Sequence, residues 1–408
     1  LAKVIARTRC RGIHGKAIQY IQNENTDWTE SQRNVRDAIT KICSKFTDDY
    51  WAKLDQTKLF PTELHATLAR EGWLGICIPQ ADGGSELGIA EAAVMMQTIS
   101  ESGGGMTAAS SVHMNIFGLE PVVKFGTEEQ RKRWLLPLIA GKERACFGVT
   151  EPNTGLDTLK LQSLAKRDGD HYVLSGQKIW ISTAQNAQKI LILVRTTPRD
   201  QVQKPSRGLS LFYTDLKRED VHIKEIKKMG RHAVDTNELF FENWRVPAAD
   251  LIGKENEGFK MIMHGMNAER ILIGAEALGL GFAALRKAAI YARDREVSIG
   301  KTQGIQHPLS DSWMKLEAAR LMIYHAAKMY DQGYTDGDYS NSAKYLAAEA
   351  AFEACERAVL SHGVIGYSAE FHVERYLREV FIPRIAPVSR EMILNYIGQR
   401  VLGLPRSY

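Results

Sequence analysis

The sequence is poor in the residues that build cross-links and metal cages. Its five cysteines (Cys10, Cys43, Cys77, Cys146 and Cys355) are odd in number and scattered, with no CxxC pair. That excludes a disulfide framework and points to a reducing intracellular compartment. Cys146 and Cys355 read as small buried hydrophobes rather than as nucleophiles. Histidines stand isolated, without HExxH or another ligand spacing, so no zinc site is expected. No apolar run approaches the roughly 20 residues that span a bilayer. The triplet Gly279-Leu280-Gly281 lies inside a helical pattern and lacks the full GxGxxG spacing of a dinucleotide fold. Repeats and low-complexity stretches are missing, and the chain ends in RSY, which is not the peroxisomal SKL address.

Acidic residues are missing from one place. Residues 1–17 hold five Lys or Arg and no Asp or Glu, and the first acid is Glu24. The whole chain carries +5, so everything after this segment is neutral. A neutral body argues against a nucleic-acid binder, which needs a basic face. The basic start fits the remnant of a mitochondrial transit segment, and equally a disordered tail; the absent initiator Met agrees with something having been removed.

What is present is ordinary for a globular protein: 44% hydrophobic and 25% charged residues in 408, enough for two or three lobes. Residues 31–143 show helical periodicity, in SQRNVRDAITKICSKF and TELHATLAREGW among others. GTEEQRKRWLLPLIAGKE opens on a Thr cap followed by acids and closes on Gly141. From about residue 145 the text changes to short β-branched and aromatic runs, with RDGDHY as a hairpin turn. Helical spacing returns over roughly 258–297, 310–333, 341–362 and 388–402. The order predicts an α+β protein. A basic tail (1–28) precedes a helical domain (29–143), an antiparallel β-domain (144–252) and a second helical domain (253–408).

Chemistry gathers in three stretches. In CFGVTEPNTGLD (146–157), Thr150, Glu151, Pro152 and Gly155 form a strand end whose donors can cradle a ring edge or a pyrophosphate; a plain structural turn satisfies the same residues. In GQKIWIST (176–183), Trp180 offers an aromatic wall and Ser182 a donor two residues on, on the same sheet face. In MNAERILIG (266–274), Glu269 shares a helix face with Gly265, Met266, Leu272 and Ile273. Because a buried Glu is rare, the residues alone favour an exposed charge pair with Arg270.

FGVTEPNTG (147–155), KIWIST (178–183) and HGVIGYSAEFHVERYLRE (362–379) together resemble the acyl-CoA dehydrogenase family, in the family's order and over nearly the whole chain. The resemblance implies helical, β and helical domains, the last a four-helix bundle. It implies noncovalent FAD, with Thr150 bonding the flavin ring, and Phe147, Val149 and Gly155 beside it. Trp180 and Ile181 would cover one flavin face, and Ser182 would stand where relatives carry a Thr near flavin N5. Arg295 and Gln303 would reach a neighbouring subunit's FAD, which makes the protein a homotetramer or homodimer.

Most relatives place the base that removes the substrate α-proton late in the chain, at a position occupied here by Pro387 in RIAPVS (384–389). Isovaleryl-CoA and long-chain relatives carry it on the central helix, in an E-R-L-like pair that Glu269-Arg270 matches. Glu269 is then the expected base, with Asn267 and Arg270 on the substrate. The product would be a 2-enoyl-CoA, and an electron-transfer flavoprotein would take the electrons. The compartment implied is the mitochondrial matrix in a eukaryote, or the cytoplasm in a bacterium. Four departures stand against the pattern. Pro387 has no N–H to polarise a thioester, Leu156 and Val364 replace smaller residues, and the stretch after Arg295 is about three residues short. They keep two alternatives open: an oxygen-reducing oxidase, and a retired flavoprotein with a binding role.

Overall fold

The computed structural model describes residues 28–295 and 299–407. The basic tail, Cys10 and residues 296–298 lie outside the described residues. Trp28, placed with the tail on sequence grounds, belongs to the body: it is buried edge-on against Tyr324, ring centroids 5.6 Å apart.

Among the described residues, seven α-helices come first: α1 (Glu30–Cys43), α2 (Asp48–Thr57), α3 (Thr62–Arg70), α4 (Ile89–Ile99), α5 (Gly105–Phe117), α6 (Glu120–Phe125) and α7 (Glu128–Ile139). Helices α1 and α7 start on reciprocal capping boxes, Thr29 with Gln32 and Thr127 with Gln130. Helix α4 is capped from far away. The Asp331 carboxylate accepts from the N–H groups of Ile89 and Ala90 at 2.8 and 2.9 Å.

The middle domain is one sheet of seven strands: β1 (Ala145–Gly148), β2 (Leu164–Asp168), β3 (His171–Ser182), β4 (Lys189–Arg195), β5 (Leu209–Asp215), β6 (Val221–Glu225) and β7 (Thr236–Pro247). The order is β1-β4-β2-β3-β7-β6, with β5 also on β4. The β2–β3 hairpin turns at Gly169, φ +61°, as RDGDHY suggests. Most pairs are antiparallel, but β1 and β4 run parallel. The β2–β3 hairpin lies between them in sequence, and this long excursion brings the chain back in its original direction.

The last domain contains α8 (Gly258–His264), α9 (Met266–Asp294), α10 (Gln303–Asp331), α11 (Asp338–His362), α12 (Val373–Glu379), α13 (Ile382–Ile385) and α14 (Arg390–Tyr396). The single helix expected over 258–297 is broken at Gly265, so Glu269 falls in the first turn of a new helix. Three long helices, α9, α10 and α11, pack together; α4, α5 and the short late helices close the remaining sides of α9.

Helix α9 has 29 residues and is buried along most of them. Two glycines let neighbours approach it. A Cβ on Gly279 would lie 2.3 Å from Gln97 O of α4, and one on Gly281 would lie 2.6 Å from Leu316 and 3.0 Å from Ala351 Cα. The GLG triplet therefore serves helix crossing rather than a nucleotide. Helix α12 locks the start of α5: Glu379 accepts from Thr107 N and Oγ1 at 3.0 and 2.7 Å, while Arg375 donates to Gly103 O at 2.6 Å.

Gly279→Ala adds about 1 kcal/mol of helix propensity but forces a methyl into a backbone carbonyl. A net loss of about 1–3 kcal/mol is expected, as for overpacked cores. A thermal melt no lower than wild type would contradict this close crossing.

Candidate active site

Glu269 enters the interior because it lies in the first turn of α9, which packs against α5 and α11. Its N–H bonds Gly265 O at 3.0 Å, and its side chain is buried. Among the described residues, its Oε2 has no hydrogen-bond partner. Burial pushes the carboxyl up to about 7, and the nearby Glu276 pushes the same way. His113, Arg270 and Lys344 pull it down. The result is a carboxyl balanced between its two forms near neutral pH.

The charges around it are fixed by contacts from several elements. Arg270 donates to Asn267 Oδ1 at 2.8 Å, and Asn267 in turn bonds Thr335 O and Ser340. Asn267 is thus a clamp for Arg270. Lys344 on α11 is fully buried; burial and the nearby Arg270 push it down to about 8. Its Nζ donates to Val388 O at 2.6 Å, which ties the segment carrying Pro387 to the surroundings of Glu269. On the other side, His113 of α5 pairs with the buried Glu276. Burial would lower the imidazole, but Glu276 outweighs it and raises the group.

The β-domain contributes a second group of residues. Lys178 is wholly buried and has three acceptors: Glu151 at 2.8 Å, Val149 O at 3.1 Å and Leu193 O at 2.7 Å. Glu151 also accepts from Gln162 N and Ser163 N at 2.7 and 3.0 Å. Burial alone would raise the Glu151 carboxyl, but Lys178 and these donors hold it below its usual range. This pair joins the VTE turn to the KIW strand. Sequence reasoning missed it, although a Lys inside an apolar strand beside a TEP turn is a readable signal.

A bulge between Lys178 and Ile181 shifts the ladder, with Trp180 at φ +64°. Trp180 is 57% exposed, a large ring held uncovered on the sheet surface. Ser182 is half-buried, while Ile181 is buried in the sheet core and can offer a ligand only its backbone. Thr150 is half-buried, its carbonyl accepting from Ile179 N. Phe147 and Val149 pack beneath the same strand end, and Gly155 has open space where a Cβ would stand. An uncovered indole next to a hydroxyl-bearing strand end fits a flat aromatic cofactor.

The structure does not bring Arg295 and Gln303 to this group. Both are exposed beyond the far end of α9, and the 26 residues from Glu269 to Arg295 put them about 40 Å apart. Leu156 is exposed, and Val364 is 91% exposed in the turn after α11.

Three family models match the chain in order: the acyl-CoA dehydrogenase N-terminal domain over residues 29–142, the middle domain over 146–244 and the C-terminal domain over 256–402. The acyl-CoA dehydrogenase FadE12 of Mycobacterium tuberculosis is 32% identical over 388 residues, 93% of this chain and 98% of that protein. The butyryl-CoA dehydrogenase of Megasphaera elsdenii superposes with a TM-score of 0.87 at 28% identity, covering 93% of this chain and all of that one (100%). A glutaryl-CoA dehydrogenase in complex with glutaryl-CoA superposes at 0.88 with 27% identity, covering 94% and 98%. The chain belongs to the acyl-CoA dehydrogenase family, FAD-dependent oxidoreductases that act on acyl-CoA thioesters.

Proposed function

We propose that this enzyme dehydrogenates the Cα–Cβ bond of an acyl-CoA to a 2-enoyl-CoA, with Glu269 as the base. One observation carries the assignment: a buried carboxylate with a free Oε2 and a pKa near 7. The other carboxylates considered are unsuitable. Glu151 is committed to Lys178 and two backbone donors. Glu391 is a mostly exposed side chain paired with Arg390. Pro387 has no acid–base group.

In this reading Thr150, Gly155, Trp180 and Ser182 hold FAD against the sheet, with Phe147, Val149 and the Ile181 backbone behind it. FAD, when bound, supplies the acceptor for the β-hydrogen as hydride. Glu269 takes the α-proton on Oε2, and a dry setting keeps the carboxyl basic enough to do so. Arg270, clamped by Asn267, and Lys344 compensate the charge of the ionised base. Electrons pass to an electron-transfer flavoprotein; bleaching of the flavin by an acyl-CoA that persists in air supports this, and rapid recolouring with peroxide supports an oxidase.

Arg295 is too far from Glu269 to serve its own chain's site. Its position supports a homo-oligomer in which it reaches a neighbour's FAD. Exposed apolar side chains on the same domain, among them Met314, Leu321 and Leu360, support the same reading. Sedimentation at micromolar concentration tests it, and a monomer that retains FAD overturns it.

Glu269→Gln keeps the volume but cannot accept a proton. Flavin reduction in stopped flow should fall roughly 10²- to 10⁴-fold, with FAD and acyl-CoA binding retained. Near-normal reduction rules Glu269 out. In the wild type, reduction should rise with pH through about 7 as the carboxyl ionises. A profile flat across that range contradicts the assignment.

The same pKa has a stability consequence. A folded-state pKa raised from 4.5 to about 7 means the protonated form favours the fold, so stability falls as pH rises between these values. The loss is about 3 kcal/mol above the upper one. Thermal melts of Glu269→Gln should exceed wild type well above neutrality and converge with it near the lower value. Equal melts at both ends would show that Glu269 is solvated.

A further inference from the structure

A second polar cluster lies two helical turns along α9 from the base. Glu276 is fully buried and pairs with His113 through one carboxylate oxygen. Among the described residues, its Oε2 has no partner. One turn before His113 on α5, Ser110 accepts from Arg231 at 2.8 Å. Arg231 comes from the loop ahead of β7, and its Nε is also buried without a partner among the described residues. Arg231 feels the charge of Glu276, and His113 feels those of Arg231 and Glu269, so these groups share one region. All three domains contribute to it, and small-molecule sites favour such junctions.

Neither Glu276 nor Arg231 is needed to accept the proton taken at Glu269. Yet a buried polar atom left without a partner is costly to the fold. Seven residues of helix separate Glu276 from Glu269, about 10 Å. Helix α9 runs from Glu269 to Glu276, where α5 and the loop ahead of β7 meet it.

We propose that the acyl pocket ends at Ser110, His113, Arg231 and Glu276, and that the preferred acyl chain carries a hydrogen-bonding oxygen, hydroxyl or carboxyl, at its far end. This rests on Glu269 marking the reacting carbon. A hydroxyl meets both orphans, donating to Glu276 Oε2 and accepting from Arg231 Nε. A carboxylate meets two cations, His113 and Arg231, and the anions Glu276 and Glu379 that act on them. A methyl end would cover both orphans and satisfy neither.

The test compares octanoyl-CoA, ω-hydroxyoctanoyl-CoA and the monothioester of suberic acid on the purified holoenzyme, by anaerobic flavin reduction. At least one oxygen-bearing chain should exceed octanoyl-CoA in kcat/KM by about tenfold or more, because a site built for a polar group discriminates against its absence. Which of the two wins tells hydroxyl from carboxyl. The apolar double variant His113→Leu/Glu276→Leu should reverse the order, since replacing a buried ion pair by hydrocarbon is often tolerated by the fold. Octanoyl-CoA best in the wild type overturns the proposal, as does an unchanged order in a folded, flavin-bearing double variant. Calorimetric Kd values for the three thioesters on Glu269→Gln give an independent ratio. If no thioester reduces wild-type flavin, the dehydrogenase reading fails, and the Kd ratio still decides the pocket.

Discussion

A helix buried along most of its length is stable only if other elements cover every side of it, and α9 sets this demand. Its 29 residues carry no single apolar stripe to lay on one partner. Helices α10 and α11 take two sides, α4 and α5 take others, and Gly279 and Gly281 allow the backbones to approach. The cover is drawn from both helical domains, so neither can close its core alone. Asp331 capping α4, and Glu379 holding the start of α5, are the polar counterparts of the same dependence. A carboxylate placed in the first turn of such a helix is inside the protein by construction.

The sheet solves a different problem. The cofactor wall proposed at Trp180 needs a large aromatic ring left uncovered, which a strand normally avoids by turning apolar side chains inward. Here the bulge and the left-handed residue at Trp180 turn the indole out, a backbone state that costs of order 1–3 kcal/mol. The ladder to β7 resumes at Ile181 and Ser182 and holds the distorted stretch on its far side. Lys178 holds the near side. Its three N–H groups all find acceptors, so the burial of a charge leaves nothing unmet. The VTE and KIW motifs are one structural unit joined by an ion pair.

Local features were legible in the sequence because they rest on neighbours in the chain. The Thr127 cap, the turn at Gly169 and the helix–sheet–helix order all follow from spacing and turn chemistry. Glu269 was legible only through the E-R pair of a resembling family, since by composition alone a Glu at a helix start reads as exposed. Other features join distant residues and could not be read. His113 meets Glu276 across 163 positions, and Arg231 meets Ser110 across 121. The break at Gly265 escaped for another reason: its φ of −80° is ordinary, so no turn signal marks it. The parallel β1–β4 pair was hidden because antiparallel neighbours dominate the sheet.

The electrostatics of the proposed base show why these distant pairs matter. Burial alone would carry a carboxyl well beyond neutrality, as fully buried groups do. A second carboxylate, Glu276, seven residues along the same helix adds to that push. His113, paired with Glu276, pulls Glu269 the other way, and by more than Glu276 pushes it. Arg270 and Lys344 then supply attraction from the other side, and both are themselves lowered by burial. The cations are therefore not saturated by carboxylates, and their pull remains available when the base ionises. A pKa near 7 is what these opposed effects leave. Any change that unpairs Glu276 moves the Glu269 carboxyl upward and lowers its ionised fraction, so in the proposed reading the α5–α9 contact tunes proton removal from two helical turns away.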